Sequence, residues 1–380
     1  MPLTRTQHFD RSIAPKRILS LDGGGLRGVL TLEFLGEIEA LLKKRAGRED
    51  FRLCDYFDLI GGTSTGSIIA AGLACGMTVD ELKTLYRDLG ASVFVSTPFR
   101  VPLLAAKFPS KRVQDALDQH LGADVTLDSE RIRTALMIMT KRLDTGSPWP
   151  LHNHPNAIYA AQDGKLLLSH VVRASTAAPT YFDPEILNIA TRDGRVIQGA
   201  FVDGGVSPFN DPALQLLLVA TLQGHGFHWQ SGADKILLVS VGTGMYSEPS
   251  TVQQLEGLPA AAVGLRALQS LMDDCLVTNH MLLQWLTVCL TPWQIDRVVG
   301  DQALDSASGP RLATYARYNV QLDASWIKAK LAMDLTPERL AELAKMDQPA
   351  NMDALSKIGN VAAKRQVAES HFPARFDAGI

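Results

Sequence analysis

Two short apolar strands, each followed by a glycine-rich turn and a helix, constrain the fold more than any other feature of the sequence. Residues 17–21 (R-I-L-S-L) predict a buried strand, residues 22–28 (D-G-G-G-L-R-G) a turn, and residues 29–45 a helix with apolar positions at helical spacing. The order repeats with a strand at residues 56–60, the turn G-G-T-S-T-G and a helix at residues 67–74. This alternation predicts an α/β fold, whose mostly parallel sheet carries helices on its faces.

The remaining elements are less regular. Further helices are predicted at residues 78–89, with Thr78 or Asp80 as the N-cap, and at residues 111–121, 166–177 and 211–222. Further strands are predicted at residues 133–141, 196–202, 235–241 and 314–322. Residues 147–155, with three prolines, predict a loop, and the chain beyond residue 250 is expected to be mainly helical, with long segments at residues 259–289 and 324–370.

Composition excludes few classes of protein. The formal net charge of −3 gives no sign of the basic surface of a nucleic-acid binder. Four cysteines without C-x-x-C spacing predict reduced thiols and no zinc site. Residues 1–16 contain no apolar segment of the secretory type, and no apolar stretch reaches the roughly 20 residues of a spanning helix. We therefore expect a soluble, cytoplasmic protein that can still contact a membrane from one face.

Ser64, at the centre of G-T-S-T-G, is the candidate nucleophile. A serine at a sharp strand-to-helix turn is held in a strained conformation that exposes its hydroxyl above the sheet. Gly62 and Gly66 flank this turn because a Cβ does not fit between strand and helix there. The helix that follows Ser64 also directs free N–H groups and the positive end of its dipole toward the reacting centre.

The glycine-rich loop after the first strand is the candidate oxyanion hole. Consecutive glycines leave backbone N–H groups unobstructed, and an oxyanion hole needs such donors in place before charge develops. Gly24 and Gly25 are the candidate donors, Gly23 and Gly28 complete the loop, and Arg27 is expected to brace it or to add positive potential.

Other interpretations of this loop stay open. Residues 23–28 also spell G-x-G-x-x-G, the fingerprint of dinucleotide-binding sites. Asp22 would then face a pyrophosphate, and no clear ribose-binding acid follows a second strand, which argues against this interpretation. A phosphate-binding P-loop lacks its G-K-S/T, and a tight glycine turn without a ligand is the remaining alternative.

Asp203, followed by Gly204 and Gly205, is the candidate base. It comes at the end of a predicted strand, and active sites of parallel sheets form at carboxyl ends of strands. A plain aspartate–glycine turn is the alternative. A Ser-Asp-His triad would need a histidine later in the chain. The histidines that follow lie in no recognisable motif: His225, His228, His280 and His371.

Taken in this order, the three motifs resemble the patatin-like phospholipase family. Residues 58–70 (D-L-I-G-G-T-S-T-G-S-I-I-A) and 173–182 (R-A-S-T-A-A-P-T-Y-F) match as well. The resemblance implies a three-layer α/β/α fold with a mostly parallel central sheet. It implies a catalytic domain at residues 16–215, and we expect residues 216–380 to complete the core as a mainly helical region.

The resemblance also implies a chemistry. Members of the family hydrolyse ester-linked acyl chains of lipids through a Ser–Asp dyad. By this resemblance Ser64 would be the nucleophile, Asp203 the base and residues 23–28 the oxyanion loop. Asp-Gly-Gly stands where many members have Asp-Gly-Ala, which is a small change. The implied partners are a lipid or phospholipid substrate and a transiently contacted membrane surface, with no cofactor, metal or nucleic acid.

Two further expectations concern other parts of the chain. Residues 94–108 are rich in proline and apolar side chains and are expected to form a lid or acyl-chain channel, or else a buried packing segment. Some bacterial proteins that resemble patatins are switched on by a cyclic-nucleotide signal to degrade membranes. A small-molecule activator bound by the C-terminal region is therefore an alternative to constitutive activity.

Overall fold

The computed structural model describes residues 2–93, 107–246, 251–303, 305, 307 and 309–377. Within these residues the strands are β1 Lys16–Leu21, β2 Leu59–Thr63, β3 Ala135–Arg142, β4 Pro148–His152, β5 Glu185–Arg192, β6 Arg195–Asp203, β7 Ile236–Val241, β8 Val288–Cys289 and β9 Thr314–Tyr318. The helices are α1 Arg5–Phe9, α2 Gly28–Ala46, α3 Leu53–Tyr56, α4 Thr65–Ala74, α5 Val79–Ser92, α6 Ser110–Leu121, α7 Ala160–Asp163, α8 Leu168–Ser175, α9 Ala213–Thr221, α10 Val252–Leu255, α11 Ala260–Leu286, α12 Ala324–Trp326, α13 Pro337–Leu343 and α14 Met352–Gln366.

One mixed sheet contains all of these strands. Its order is β5-β6-β3-β2-β1-β7-β9-β8, and β4 pairs with β3 outside this path. The central pairs from β3 to β8 are parallel. The pairs of β3 with β4, of β3 with β6 and of β5 with β6 are antiparallel. The predicted mostly parallel sheet is therefore confirmed.

Side chains of the central strands alternate between two apolar cores, one on each face of the sheet. On β1, Ile18 lies in one core and Leu19 in the other, and on β7, Leu238 and Leu237 divide in the same way. The core that contains Leu19 includes side chains of α2, α4, α5 and α14, whereas α9 and α11 contribute to the other. Strands buried on both faces explain the continuous apolar runs of the sequence, and the predicted three-layer fold is confirmed.

Two helix ends follow their sequence signals closely. α2 ends at Gly47, whose φ of 63° is the left-handed conformation that glycine adopts without strain. Thr78 is the N-cap of α5, and the Thr78 and Glu81 side chains each accept a hydrogen bond from the other residue's backbone N–H. Thr78, and not Asp80, is therefore the cap.

The strand predicted at residues 56–60 begins three residues later than expected, because α3 occupies the residues before it. The Asp55 carboxylate accepts the N–H of Arg52 at 3.1 Å and closes this short helical turn. β2 then continues into the predicted glycine turn as far as Thr63.

The prediction of a loop at residues 147–155 is wrong, because residues 148–152 form β4. Among the described strands β4 pairs with β3 alone, so Pro148 and Pro150 lie on an edge strand, where a proline costs no ladder hydrogen bond if its nitrogen faces away from the partner. The predicted helical segment at residues 324–370 is likewise not continuous. It is divided among α12, α13 and α14, and Ala332 in its first break has a φ of 54°.

The hairpin of β5 and β6 is only half expected, since the sequence predicts its second strand alone. Its turn is Asp193-Gly194, with φ values of 51° and 72°. Aspartate–glycine is the common choice where both central residues of a two-residue hairpin need a positive φ. That dipeptide is the sequence signal for β5.

The carboxyl ends of the central strands bring the candidate site together. Gly23 follows shortly after β1 and Ser64 directly after β2. β6 runs the other way, but its last residue, Asp203, pairs with Thr140 near the end of β3, and so Asp203 lies at the same edge.

Two expectations bear on lipid contact. Residues 94–106 of the expected lid lie outside the described residues. Phe108, at its end, is buried, and its ring lies 6.1 Å from that of Tyr181 and 5.9 Å from that of Phe182. In the part of the chain that the structure describes, no helix combines the length and the apolar character needed to cross a bilayer.

At the opposite edge of the sheet, Arg17 and Asp58 form a buried ion pair. Arg17 donates from Nε and Nη2 to the two carboxylate oxygens of Asp58, at 2.8 and 3.0 Å. We predict that Asp58→Asn lowers the free energy of unfolding at pH 7 by about 3 kcal/mol, because a buried guanidinium loses its counter-charge. Urea denaturation measures this loss, and a loss below about 1 kcal/mol would contradict it.

The pH dependence of that loss follows from the pKa of Asp58. Burial alone would raise it, but Arg17 and the hydrogen bond with His8 hold the pKa at about 2. The stabilisation is therefore complete above the unfolded value of about 4 and disappears as the pH falls through about 2. The stability difference between the wild type and Asp58→Asn should shrink over that interval.

Candidate active site

Ser64 lies in a strained turn between β2 and α4. Its φ of 52° and ψ of −126° fall outside the regions that residues with a Cβ normally occupy. Three hydrogen bonds hold it there. The Ser64 N–H donates to Ser175 Oγ at 2.9 Å, Ser175 Oγ donates to the carbonyl of Met139 at 2.6 Å, and Ser67 Oγ donates to the carbonyl of Ser64 at 2.5 Å.

Glycines on both sides of Ser64 make this turn sterically possible. A Cβ on Gly62 would lie 2.2 Å from the carbonyl oxygen of Gly66. A Cβ on Gly66 would lie 2.3 Å from the carbonyl oxygen of Leu21, the last residue of β1. The β2–α4 turn therefore packs against the end of β1 at a distance that only glycine permits.

The hydroxyl of Ser64 contacts the carboxylate of Asp203. Ser64 Oγ donates to Asp203 Oδ2 at 2.5 Å, and the N–H of Gly205 donates to Asp203 Oδ1 at 2.7 Å. Asp203 is 5% exposed. Burial raises the pKa of Asp203 to about 6, against the opposing effects of the two hydrogen bonds and of the Arg173 charge. The Asp203 carboxylate is thus a proton acceptor whose pKa lies close to neutral pH, and it is hydrogen-bonded to the Ser64 hydroxyl.

The glycine-rich loop lies beside Ser64. A Cβ on Gly23 would come within 3.0 Å of Ser64 Cβ. The N–H of Gly23 donates to the carbonyl of Asn210 at 3.0 Å and is therefore engaged. Among the described residues, the N–H groups of Gly24 and Gly25 have no acceptor. These two groups, which the sequence predicts as oxyanion donors, thus have no protein partner among the described residues, in the loop that contacts Ser64.

Three more of the candidate residues support the loops. Gly28 begins α2, and a Cβ there would lie 2.5 Å from the hydroxyl of Tyr86. A Cβ on Gly204 would lie 2.4 Å from the carbonyl oxygen of Met139. Arg27 Nε lies 3.5 Å from the carbonyl oxygen of Gly24, and although burial lowers the pKa of Arg27 to about 10, the side chain stays a cation at neutral pH.

The histidines that could have completed a triad hydrogen-bond elsewhere. His225 Nδ1 lies 3.2 Å from His152 Nε2, and His280 Nε2 lies 3.1 Å from Asp211 Oδ2. His228 Nδ1 lies 3.4 Å from Arg11 Nη1, and His371 Nδ1 lies 3.0 Å from the hydroxyl of Tyr318. Among the described residues, Asp203 is the one titratable side chain that hydrogen-bonds the Ser64 hydroxyl.

Sequence reasoning missed two residues that hold this site. Ser175 lies in the matching segment R-A-S-T-A-A-P-T-Y-F, but nothing in the pattern points to its bond with the Ser64 backbone. Arg317 pairs with Asp22 through both carboxylate oxygens. Its signal is a single charge within the otherwise uncharged strand T-Y-A-R-Y, which indicates that a partner is buried with it but not which residue that partner is.

Comparison with known protein families shows to which family the chain belongs. The family model described as Patatin-like phospholipase matches residues 19–217, which is just over half of the chain and includes Ser64, Asp203 and the glycine-rich loop. The chain belongs to the patatin-like phospholipase family. The predicted family is therefore confirmed.

Curated relatives match part of the chain. A cGAMP-activated phospholipase of Escherichia coli (strain TW11681) is 34% identical over 207 residues, which cover 53% of this chain and 55% of the relative. A protein of the same name from Vibrio cholerae is 36% identical over 178 residues, with 44% and 49% covered. Patatin-12 of Solanum tuberosum is 31% identical over 246 residues, with 61% of each chain covered. This patatin-like chain spans about half the length of the curated relatives it matches.

The close packing of the β2–α4 turn predicts contrasting effects of alanine at two helical glycines. We expect Gly66→Ala to lower the free energy of unfolding by about 2 kcal/mol or more, because its Cβ would collide with backbone. A Cβ on Gly36, in α2, would have no neighbour closer than 3.8 Å, so Gly36→Ala should be neutral or stabilising by up to about 1 kcal/mol. Urea denaturation of both variants tests this, and equal effects would contradict the close packing of the turn.

Proposed function

We propose that the protein is a serine acyl hydrolase that cleaves ester-linked fatty acyl chains of lipids or phospholipids. The observation that carries the proposal is the 2.5 Å hydrogen bond from Ser64 Oγ to a buried carboxylate of raised pKa, at a strained strand-to-helix turn. Membership of the patatin-like phospholipase family supports the lipid ester as the substrate class. In this proposal residues 16–215 form the catalytic domain, residues 216–380 complete its core, and the protein is cytoplasmic and contacts the membrane surface transiently.

In the acylation step, Ser64 Oγ attacks the carbonyl carbon of the ester while its proton passes to Asp203 Oδ2. The negative charge that develops on the carbonyl oxygen is stabilised by the N–H groups of Gly24 and Gly25, and the cation of Arg27 adds positive potential. The tetrahedral intermediate then loses the alcohol, which takes the proton from Asp203, and an acyl-enzyme remains.

In the deacylation step, water replaces the alcohol. Asp203 accepts a proton from the attacking water, and the second tetrahedral intermediate breaks down to a fatty acid and Ser64, which regains its proton from Asp203. A single carboxylate thus serves as base and acid in turn. Because the Asp203 pKa of about 6 lies close to neutral pH, the carboxylate is available at that pH and is more basic than an ordinary aspartate.

We predict that Ser64→Ala and Asp203→Asn each lower kcat for ester hydrolysis by at least about 1,000-fold, because the first removes the nucleophile and the second the proton acceptor. Both substitutions are small, so the far-UV spectrum and the melting temperature should stay close to those of the wild type. His225→Asn is the matched control and should keep full activity. An active Asp203→Asn variant together with an inactive His225→Asn variant would instead indicate a triad.

The pH profile offers a separate test of Asp203. Only its carboxylate form accepts the proton of Ser64, so kcat/KM should rise with pH and level off above about 6. We expect Asp203→Glu, if it retains measurable activity, to shift this ascending limb. A wild-type profile that stays flat from pH 5 to pH 8 would contradict the assignment of Asp203 as the base.

A second candidate function adds control by a ligand. Two of the curated relatives are named cGAMP-activated phospholipases, which favours a phospholipase effector that a cyclic dinucleotide switches on. We expect cGAMP to raise the rate of fatty-acid release from phosphatidylglycerol vesicles by about 10-fold or more. Cyclic di-AMP serves as the control nucleotide. A rate that is the same with and without cGAMP would remove this candidate.

A nucleotide-binding module has less support. The glycine-rich loop does lie between a strand and a helix, as the dinucleotide fingerprint requires. However, Ser64 packs against Gly23, where a pyrophosphate would need close approach to the backbone. A melting temperature that rises in the presence of NAD or ATP would support nucleotide binding, since a ligand that binds the folded state stabilises it.

A further inference from the structure

A buried cluster of charges lies directly behind the glycine-rich loop. Its central member is Arg317 on β9, which is 2% exposed and lies outside the region matched by the family model. Arg317 donates from Nη1 and Nη2 to Oδ1 and Oδ2 of Asp22, at 2.7 and 2.5 Å. Asp22 immediately precedes Gly23, so Arg317, which lies far along the chain, binds the residue at the start of the loop.

A second carboxylate shares the same guanidinium. Asp211 Oδ2 lies 3.3 Å from Arg317 Nη1 and 3.1 Å from His280 Nε2. The hydroxyls of Ser20 and Ser240 each donate to Asp211 Oδ1 at 3.2 Å. The cluster therefore ties β1, β7, β9 and α11 together at the edge of the sheet where Ser64 lies.

The sheet register explains how Arg317 reaches the loop. Ser20 on β1 pairs with Ser240 on β7, and Ser240 pairs with Arg317 on β9. Residues two apart on a strand point to the same face, so Asp22 lies on the face of Ser20 and just beyond it. The long side chain of Arg317 spans β7 to meet Asp22.

The charges of the cluster make it stiff. Although burial opposes the change, Asp211 and Asp22 raise the pKa of Arg317, which therefore stays a cation. A guanidinium that donates to both oxygens of one carboxylate fixes the orientation of that carboxylate as well as its distance. Removal of Arg317 would leave two buried carboxylates without a counter-charge, whereas removal of the Asp22 charge would leave Asp211 beside Arg317.

Other contacts from beyond the family match hold the same loop. Thr243 Oγ1 donates to the carbonyl of Gly23 at 2.8 Å, and the N–H of Leu26 donates to the carbonyl of Met346 at 2.7 Å. These bonds flank Gly24 and Gly25 and leave their N–H groups available. The Arg317–Asp22 pair is the charged member of this set.

We propose that Arg317 is a positioning residue, which holds Asp22 and thereby fixes the N–H groups of Gly24 and Gly25 relative to Ser64. The inference rests on the proposed function, because it is there that these N–H groups stabilise the oxyanion. Oxyanion donors are effective only when they are in place before charge develops. A misplacement of about 1 Å is enough to reduce a rate by about 100-fold.

The test compares two buried arginine–aspartate pairs of the same kind in the full-length protein. Asp22→Asn and Arg317→Lys alter the pair behind the loop, and Asp58→Asn and Arg17→Lys alter the pair at the opposite edge of the sheet. Hydrolysis of p-nitrophenyl butyrate gives kcat and KM, and circular dichroism gives the folded fraction. Asp22→Asn should fold, because Asp211 still balances the charge of Arg317.

All four variants should melt below the wild type, since each weakens a buried pair. Only the pair behind the loop should change catalysis. For Asp22→Asn we expect kcat to fall by about 100-fold per folded molecule, with KM unchanged within about threefold. Arg317→Met is a further variant, which removes the charge altogether. The kcat of Arg317→Lys, which keeps the charge but not the bidentate geometry, should lie between those of the wild type and Arg317→Met.

Two results would overturn the inference in distinguishable ways. If folded Asp22→Asn has the kcat of the wild type or of Asp58→Asn, the pair is only structural, and the proposed function stands. If the wild type hydrolyses no ester, or if Ser64→Ala is as active as the wild type, the proposed function fails and the role of Arg317 fails with it.

Discussion

The contact between the β2–α4 turn and the end of β1 is the constraint on which the site depends. Gly66 has no side chain, and the carbonyl oxygen of Leu21 occupies the space that its Cβ would need. This contact sets the position of Ser64 relative to the glycine-rich loop. Asp203 reaches Ser64 from a third direction, because β6 takes its place beside the end of β3. The candidate nucleophile, the carboxylate and the glycine-rich loop thus come from three separate strand ends.

Much of this arrangement could be predicted from the sequence because its signals are local. A serine between glycines at a strand-to-helix turn, a run of glycines after a strand and an aspartate before two glycines each describe a backbone conformation within a few residues. Parallel strands then place their carboxyl ends at one edge of the sheet. The family match at residues 19–217 covers all three motifs.

The parts that sequence reasoning missed depend on pairing across long distances in the chain. Arg317 and Asp22 are 295 positions apart, and a lone arginine in an apolar strand indicates a buried partner but not which one. The sequence predicts a loop in place of β4, because its prolines are typical of loops and obscure the signal of an edge strand that pairs with β3. Gly23 belongs to the predicted oxyanion loop, yet its N–H is engaged by Asn210, and no local pattern reveals that bond.

The region beyond the family match is therefore part of the site's support. β7 and β9 extend the sheet beside β1, and Thr243, Arg317 and Met346 hold the glycine-rich loop from that side. The curated relatives match this chain over about half of their length.

The central claim is that Ser64 is a nucleophile activated by Asp203. It is tested most directly by treating the protein with a fluorophosphonate and locating the adduct by peptide mass spectrometry. We predict a single phosphonyl adduct on Ser64, which forms about 100-fold more slowly in Asp203→Asn. An adduct on another residue, or one that forms on Ser64 at the same rate in Asp203→Asn, would contradict the claim.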